Sequence, residues 1–117
     1  MTAQKLTDLG GLYRAGTPYG ITSVCAAHPI VMRAALRHGR ETGSTVLIEA
    51  TCNQVNHLGG YTNMTPTNFA QLVFSLAKQE NCPPTQIILG GDHLGPNPWR
   101  DLPANEAMDQ ACEMISA

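Results

Sequence analysis

The sequence lacks the usual signposts of several large protein classes. It has no C-x-x-C pair, no basic block, and no aliphatic run longer than "VLI" or "IIL". Runs that short cannot span a bilayer. The opening "MTAQKLTDLGGLYRAG" has no apolar core of the kind a secretory leader needs. The expected location is therefore the cytoplasm, with no membrane partner. Charge is scarce, at 14% of residues with a net charge of −2. Without a cationic face there is nothing to hold a phosphate backbone, so nucleic acid is excluded as a partner. The low charge also suggests that much of the surface is covered by something.

The four cysteines, Cys25, Cys52, Cys82 and Cys112, are spread almost evenly. That spacing suits neither a zinc ribbon nor a thioredoxin-like centre. In a reducing compartment they read as buried thiols, although Cys25 and Cys52 fall at strand ends, where a minor role in a site stays open. No Walker-type phosphate loop, dinucleotide fingerprint or nucleophile elbow is present. A chain of 117 residues suffices for one small domain with one core.

What is present is an alternation of strands and helices. "GITSVCAA" (20–27), "STVLIEAT" (44–51) and "TQIILGGD" (85–92) are short, apolar and β-branched, the character of strands covered on both faces. His28-Pro29 opens a helix that Gly43 ends, with Val31, Ala34, Ala35 and His38 on one face and Arg33, Arg37 and Arg40 on a wet stripe opposite. Thr65-Pro66 caps a second, whose Phe69, Leu72, Val73 and Leu76 repeat at helical spacing. A third runs from about Pro103 to the end, with Ala107, Met108, Ala111, Met114 and Ile115 inward. A weaker helix precedes the first strand, with Leu6, Leu9 and Tyr13 as its face. Strand-helix alternation without hairpins predicts an α/β fold of right-handed βαβ units on a parallel sheet. An open doubly wound sheet and a (β/α)8 barrel both meet that description, and three units are too few to close a barrel.

In either architecture ligands gather at the carboxyl ends of the strands. Those ends carry Ser23 and His28; then Glu49, Thr51, Asn53, Gln54 and His57; then Asp92, His93 and Asn97. The opposite connections, such as "RETGS" and "NCPPT", are plain turns. Glu49 alternates with Leu47 and shares its direction. It is either a carboxylate in a site, as acid/base or metal ligand, or a buried glutamate satisfied by backbone N–H groups or an arginine. Asp92 and His93, as neighbours at a strand end, should point apart rather than pair. One could reach a ligand while the other fixes a loop. His93 alone is no zinc site, since zinc needs three or four ligands; His57 and Glu49 are conceivable companions. Gly59-Gly60, in the long loop after the second strand, could form a backbone nest for a sugar phosphate, or simply a turn.

The segments "CAAHPIVMRAA", "LIEATCNQVNHLGGYTNMTP" and "IILGGDHLGPNPW", in that order, closely resemble the N-terminal part of the GatZ/KbaZ family. These are the so-called non-catalytic subunits of class II D-tagatose-1,6-bisphosphate aldolase. The resemblance covers nearly the whole chain. It implies a TIM (β/α)8 barrel, of which residues 1–117 supply about the first three units, so the chain is expected to be a truncated N-terminal portion. It implies a stabilising role beside a catalytic class II aldolase subunit, in an oligomer, in galactitol or N-acetylgalactosamine catabolism. Members sometimes carry the label tagatose-6-phosphate kinase, for which no phosphate loop speaks. Asp92-His93 also looks like the Asp-His step of catalytic class II aldolases. That likeness makes Asp92 an acid/base candidate beside Glu49, and His93 a candidate ligand of Zn2+. Asn53, Gln54, Gly59, Gly60 and Asn97 are the candidate substrate contacts. The rival expectation is a metal-dependent sugar-phosphate lyase in its own right, built on Asp92, His93 and Glu49.

Overall fold

A computed structural model of the chain describes residues 2–17 and 19–117. Strand β2 (Val46–Thr51) shows the organising pattern: Val46, Ile48 and Ala50 are buried, while Leu47, Glu49 and Thr51 between them are half-exposed. Successive side chains of a strand leave opposite faces, so β2 divides the molecule into a core side and a polar side. It lies between β1 (Ser23–Cys25) and β3 (Ile87–Asp92), parallel to both, in the order β1-β2-β3. The register sets Cys25 opposite Glu49, Glu49 opposite Gly90, and Thr51 opposite Asp92. The expectation of a parallel α/β sheet is met, as an open sheet of three strands.

Helices α2 (Pro29–Thr42) and α3 (Pro66–Gln79) cover the core side. Met32, Leu36, Phe69, Val73 and Leu76 pack there against Val46, Ile48 and Ile87. The helices begin and end where the sequence indicates. The His28 ring accepts the Ile30 N–H at the start of α2, Pro29 occupies its first turn, and Gly43 ends it at φ 66°. Thr65 and Asn68 exchange hydrogen bonds in a capping box at the start of α3. Helix α1 (Thr2–Arg14) precedes the sheet and α4 (Ala104–Ser116) follows it.

Four expectations need correction. The strands are not covered on both faces, because the side bearing Ser23, Glu49 and Asp92 has no fully buried residue. The buried face of α2 is Met32, Leu36 and Gly39, with Ala35 partly buried, whereas Val31, Ala34 and His38 are exposed. Gly39 decides this: a Cβ there would lie 2.0 Å from Val46 Cγ2, so the helix meets the sheet closest at a residue with no side chain. In α4, Ala107, Ala111 and Met114 are buried, but Met108 and Ile115 are exposed. Of the α1 face, Leu9 is half-buried while Leu6 and Tyr13 are exposed.

The arginine stripe is also more than a wet face. Glu80, at the end of α3, is 4% exposed, and Arg33 Nε and Arg37 Nε donate to its two carboxylate oxygens at 2.6 and 2.9 Å. Arg40 donates to the Glu80 carbonyl at 3.0 Å. A carboxylate at a helix C-terminus opposes the helix dipole and, once buried, needs close partners. Three arginines from α2 supply them and tie the two helices together. Hydrogen bonds from Arg37 and then Arg33 hold the Glu80 pKa down to about 2, against the opposing effect of desolvation.

Two tests follow. Ala at position 39 forces α2 away from Val46, and overpacking of that kind costs about 1–3 kcal/mol, measurable by denaturant unfolding of the protein. Glu80 has a folded pKa below its ordinary value of 4.5, so its stabilising contribution is complete above that pH and fades as pH falls toward about 2. Glu80→Gln should lower the melting temperature at neutral pH by several degrees and flatten the acid limb of the stability curve.

Candidate functional site

Parallel pairing brings the carboxyl ends of all three strands to one edge, and the alternation in β2 selects which residues share a face there. Ser23 and Cys25 come from β1, Glu49 and Thr51 from β2, Gly90 and Asp92 from β3. Glu49 and Asp92 are therefore on the same side of adjacent strands, two residues apart in register. The Ser23 hydroxyl donates to Glu49 Oε2. On the other flank the Glu49 carboxylate lies over Gly90, where a Cβ would come within 2.9 Å of Oε1. Among the described residues the Glu49 partner is a serine hydroxyl rather than an arginine or a backbone amide.

Cys25 lies among these groups. Its thiol donates to Gln54 Oε1 at 4.0 Å and interacts electrostatically with Asp92. Desolvation, then the interaction with Asp92, then the charges of Asp92 and Glu49 push the thiol pKa up, so Cys25 keeps its proton at neutral pH. Asp92 is shifted the other way. A hydrogen bond from His93 is the main cause, only partly opposed by desolvation, and it keeps the carboxylate ionised at neutral pH.

That last contact corrects the expectation that Asp92 and His93 point apart. His93 Nδ1 is 2.7 Å from Asp92 Oδ1. His93 sits at φ 52°, in the left-handed region, which turns the chain back at the strand end and brings the ring onto the preceding carboxylate. The Gly95 N–H closes the turn on the His93 carbonyl at 2.9 Å. The histidine ring is 83% exposed and the Asp92 side chain 37%.

The remaining predicted residues form the loop beside this face. Asn53 Oδ1 accepts from Asn97 Nδ2 at 3.3 Å, joining the loop after β2 to the turn after β3. Gln54 Oε1 accepts the Thr51 N–H at 2.8 Å, so its side chain is committed to the strand end as well as facing Cys25. Gly59 and Gly60 do not form an open phosphate nest. Their N–H groups donate to the Asn56 carbonyl and to Asn56 Oδ1. Gly60 adopts φ 56°, and a Cβ there would lie 2.4 Å from the Gln54 carbonyl oxygen, so close chain approach accounts for it.

Sequence reasoning passed over Asn56, the centre of this loop. It is 4% exposed; its Nδ2 donates to the Cys52 carbonyl, and its Oδ1 accepts from Leu58 N–H and Gly60 N–H. His57 is turned away from the carboxylates. Its ring lies 5.4 Å from that of Trp99, and Nε2 is 3.1 Å from Gln110 Oε1 and 3.4 Å from Glu113 Oε2, so it docks the loop against α4.

Zinc would need three or four ligands. Among the described residues no three His, Cys, Asp or Glu side chains gather in a metal-binding group. His57 and Glu49 do not join His93, whose Nδ1 is engaged by Asp92. No described helix is long and apolar enough to cross a membrane.

The fold and face together define a parallel α/β segment with an acidic rim at its strand ends. Residues 6–117 match the family D-tagatose-1,6-bisphosphate aldolase subunit GatZ/KbaZ-like, and the chain belongs to that family. It is 56% identical over 112 residues to the D-tagatose 6-phosphate 4-epimerase of Agrobacterium fabrum, covering 96% of this chain and 26% of that protein. It is 50% identical over 105 residues to the D-tagatose-1,6-bisphosphate aldolase subunit GatZ of Salmonella dublin, covering 90% of this chain and 25% of that one. The crystal structure of a probable tagatose 6 phosphate kinase from Sinorhizobium meliloti superposes with a TM-score of 0.80 at 55% identity, over 83% of this chain and 25% of that one. The chain thus spans about a quarter of the length of these relatives.

Asn56→Ala removes three hydrogen bonds from a buried position. At roughly 1 kcal/mol net for each, the protein should lose about 3 kcal/mol of stability. Hydrogen exchange at the Leu58 and Gly60 amides, which lose their acceptor, should accelerate first.

Proposed function

We propose that this segment opens a (β/α)8 barrel that binds tagatose phosphates, and that its rim performs chemistry at the C3–C4 bond of the sugar. The observation that carries the reading is the placement of Glu49 and Asp92 on one face of adjacent strands, with the neutral thiol of Cys25 beside them. The relatives' names point to the same carbon atoms. A 4-epimerase must invert C4, and an aldolase of the 1,6-bisphosphate must break C3–C4. One step serves both. A base takes the C4 hydroxyl proton, the C3–C4 electron pair moves toward the C2 carbonyl, and an aldehyde and an enediolate result. Re-addition to the other aldehyde face gives the C4 epimer.

Asp92, kept ionised by His93, is the base in this reading, and Glu49 is the second acid/base group. Asn53 and Asn97 offer amides for sugar hydroxyls. The enediolate oxygen calls for a cation or a strong donor, which the two carboxylates do not supply; His93 would be at most one ligand of a metal held mainly by other residues.

A second reading is favoured by the GatZ relatives, which are named as aldolase subunits. Here the barrel does no chemistry and stabilises a catalytic class II aldolase subunit, in galactitol or N-acetylgalactosamine catabolism.

The full-length protein should convert tagatose 6-phosphate to its C4 epimer, followed by carbon NMR. Asp92→Asn and Glu49→Gln should each lower kcat by about 10²–10⁴-fold with the fold retained. A wild-type protein with no turnover that nonetheless lengthens the thermal lifetime of the aldolase subunit would replace the first reading with the second.

A further inference from the structure

The geometry points to Ser23 and Gly90 as a two-sided cradle that fixes the Glu49 carboxylate, making both positioning residues of the rim. This rests on the reading of Glu49 as an acid/base group and extends it to the residues that aim it. A glutamate on an open sheet face has three rotatable bonds, and its carboxylate can sweep several ångströms. Here it is held from both neighbouring strands. From β1 the Ser23 hydroxyl donates to Oε2. From β3 the bare Cα of Gly90 leaves the room in which the side chain lies, since a Cβ there would stand 2.9 Å from Oε1, 3.0 Å from Cγ and 3.4 Å from Cδ.

The glycine is not required by the backbone. The described glycines with positive φ are Gly16, Gly43, Gly59 and Gly60, so position 90 has a conformation open to any residue. A glycine inside a strand without a special φ weakens the strand unless something must approach closely. The group that approaches is the far end of Glu49, which is flexible, so an added methyl group moves the carboxylate rather than the strand. Ser23 is suited to its half of the task. It lies on the same face as Glu49, displaced by one register step of two residues, within reach of the extended carboxylate.

The test uses the full-length protein and tagatose 6-phosphate. Ser23→Ala should lower kcat roughly 10- to 100-fold through misplacement of the carboxylate, with KM changed much less. Ser23→Thr, which keeps the hydroxyl, should restore most of the rate. Gly90→Ala should reproduce the loss, and neither change should cost anything further in a Glu49→Gln background. Crystal structures of the Ser23→Ala and Gly90→Ala proteins should show the Glu49 carboxylate displaced or in several conformers, whether or not the protein turns over substrate. An unmoved carboxylate overturns the cradle, as does wild-type kinetics in both variants while Glu49→Gln is impaired; the reading of Glu49 then stands. Wild-type turnover in Glu49→Gln itself overturns that reading and the cradle with it. Should Gly90→Ala fail to fold, the Ser23 variants carry the test alone.

Discussion

The alternation of β2 between its two parallel neighbours is the constraint on which the rest of the structure depends. Val46, Ile48 and Ala50 must face α2 and α3 to bury the core, so Leu47, Glu49 and Thr51 are forced to the other side. A slip of one residue would bury Glu49 among Met32, Leu36 and Val73 and expose the core in exchange. The stability of the core therefore holds the carboxylate at the rim. The same register brings Cys25 and Gly90 opposite Glu49, and Asp92 opposite Thr51. Core packing and site geometry are two consequences of one pairing.

Much of this was legible in the residues. The strands, the caps at His28, Thr65 and Gly43, and the polar bias of one sheet edge all follow from local rules of period, proline position and turn chemistry. What escaped was non-local or depended on backbone sign. Nothing in "GDHLG" announces that His93 takes a positive φ, and without that turn it would not meet Asp92. The α2 face was misassigned because Gly39 counts for little in a hydrophobic pattern, although it marks the closest approach of helix and sheet. Glu80 and its arginines are more than forty residues apart along the chain for Arg33 and Arg37, beyond the reach of any helical-spacing rule. Asn56 reads as one more loop asparagine until its three partners are seen. Gly90 is the instructive middle case: a glycine inside an apolar strand signals close approach, but only the register identifies Glu49 as what approaches.

The rim also separates two kinds of fixed charge. Glu80 is a buried anion with its cations packed against it, and its purpose ends with the joining of α2 to α3. Among the described residues Glu49 is held by a hydroxyl and Asp92 by a neighbouring imidazole, with the Cys25 thiol beside it, and both stay accessible. Carboxylates with no permanent cation, held by neutral or titratable donors on a half-exposed face, remain available to exchange protons with a ligand.

The charge balance of the rim constrains how a sugar phosphate can lie there. Two carboxylates beside a protonated thiol make the face anionic, so a phosphate brought close to Glu49 or Asp92 is repelled. The amides of Gly59 and Gly60, the nearest backbone donors suggested by the sequence, are committed to Asn56. On the proposed reading, a tagatose phosphate on this face would present its hydroxyl-bearing carbons to the two carboxylates and carry its phosphate outward, toward donors other than these. That orientation would bring a sugar hydroxyl, the weak acid of the proposed aldol cleavage, to an ionised Asp92. It is the orientation required if a base on β3 and a carboxylate cradled on β2 are to share one carbon–carbon bond.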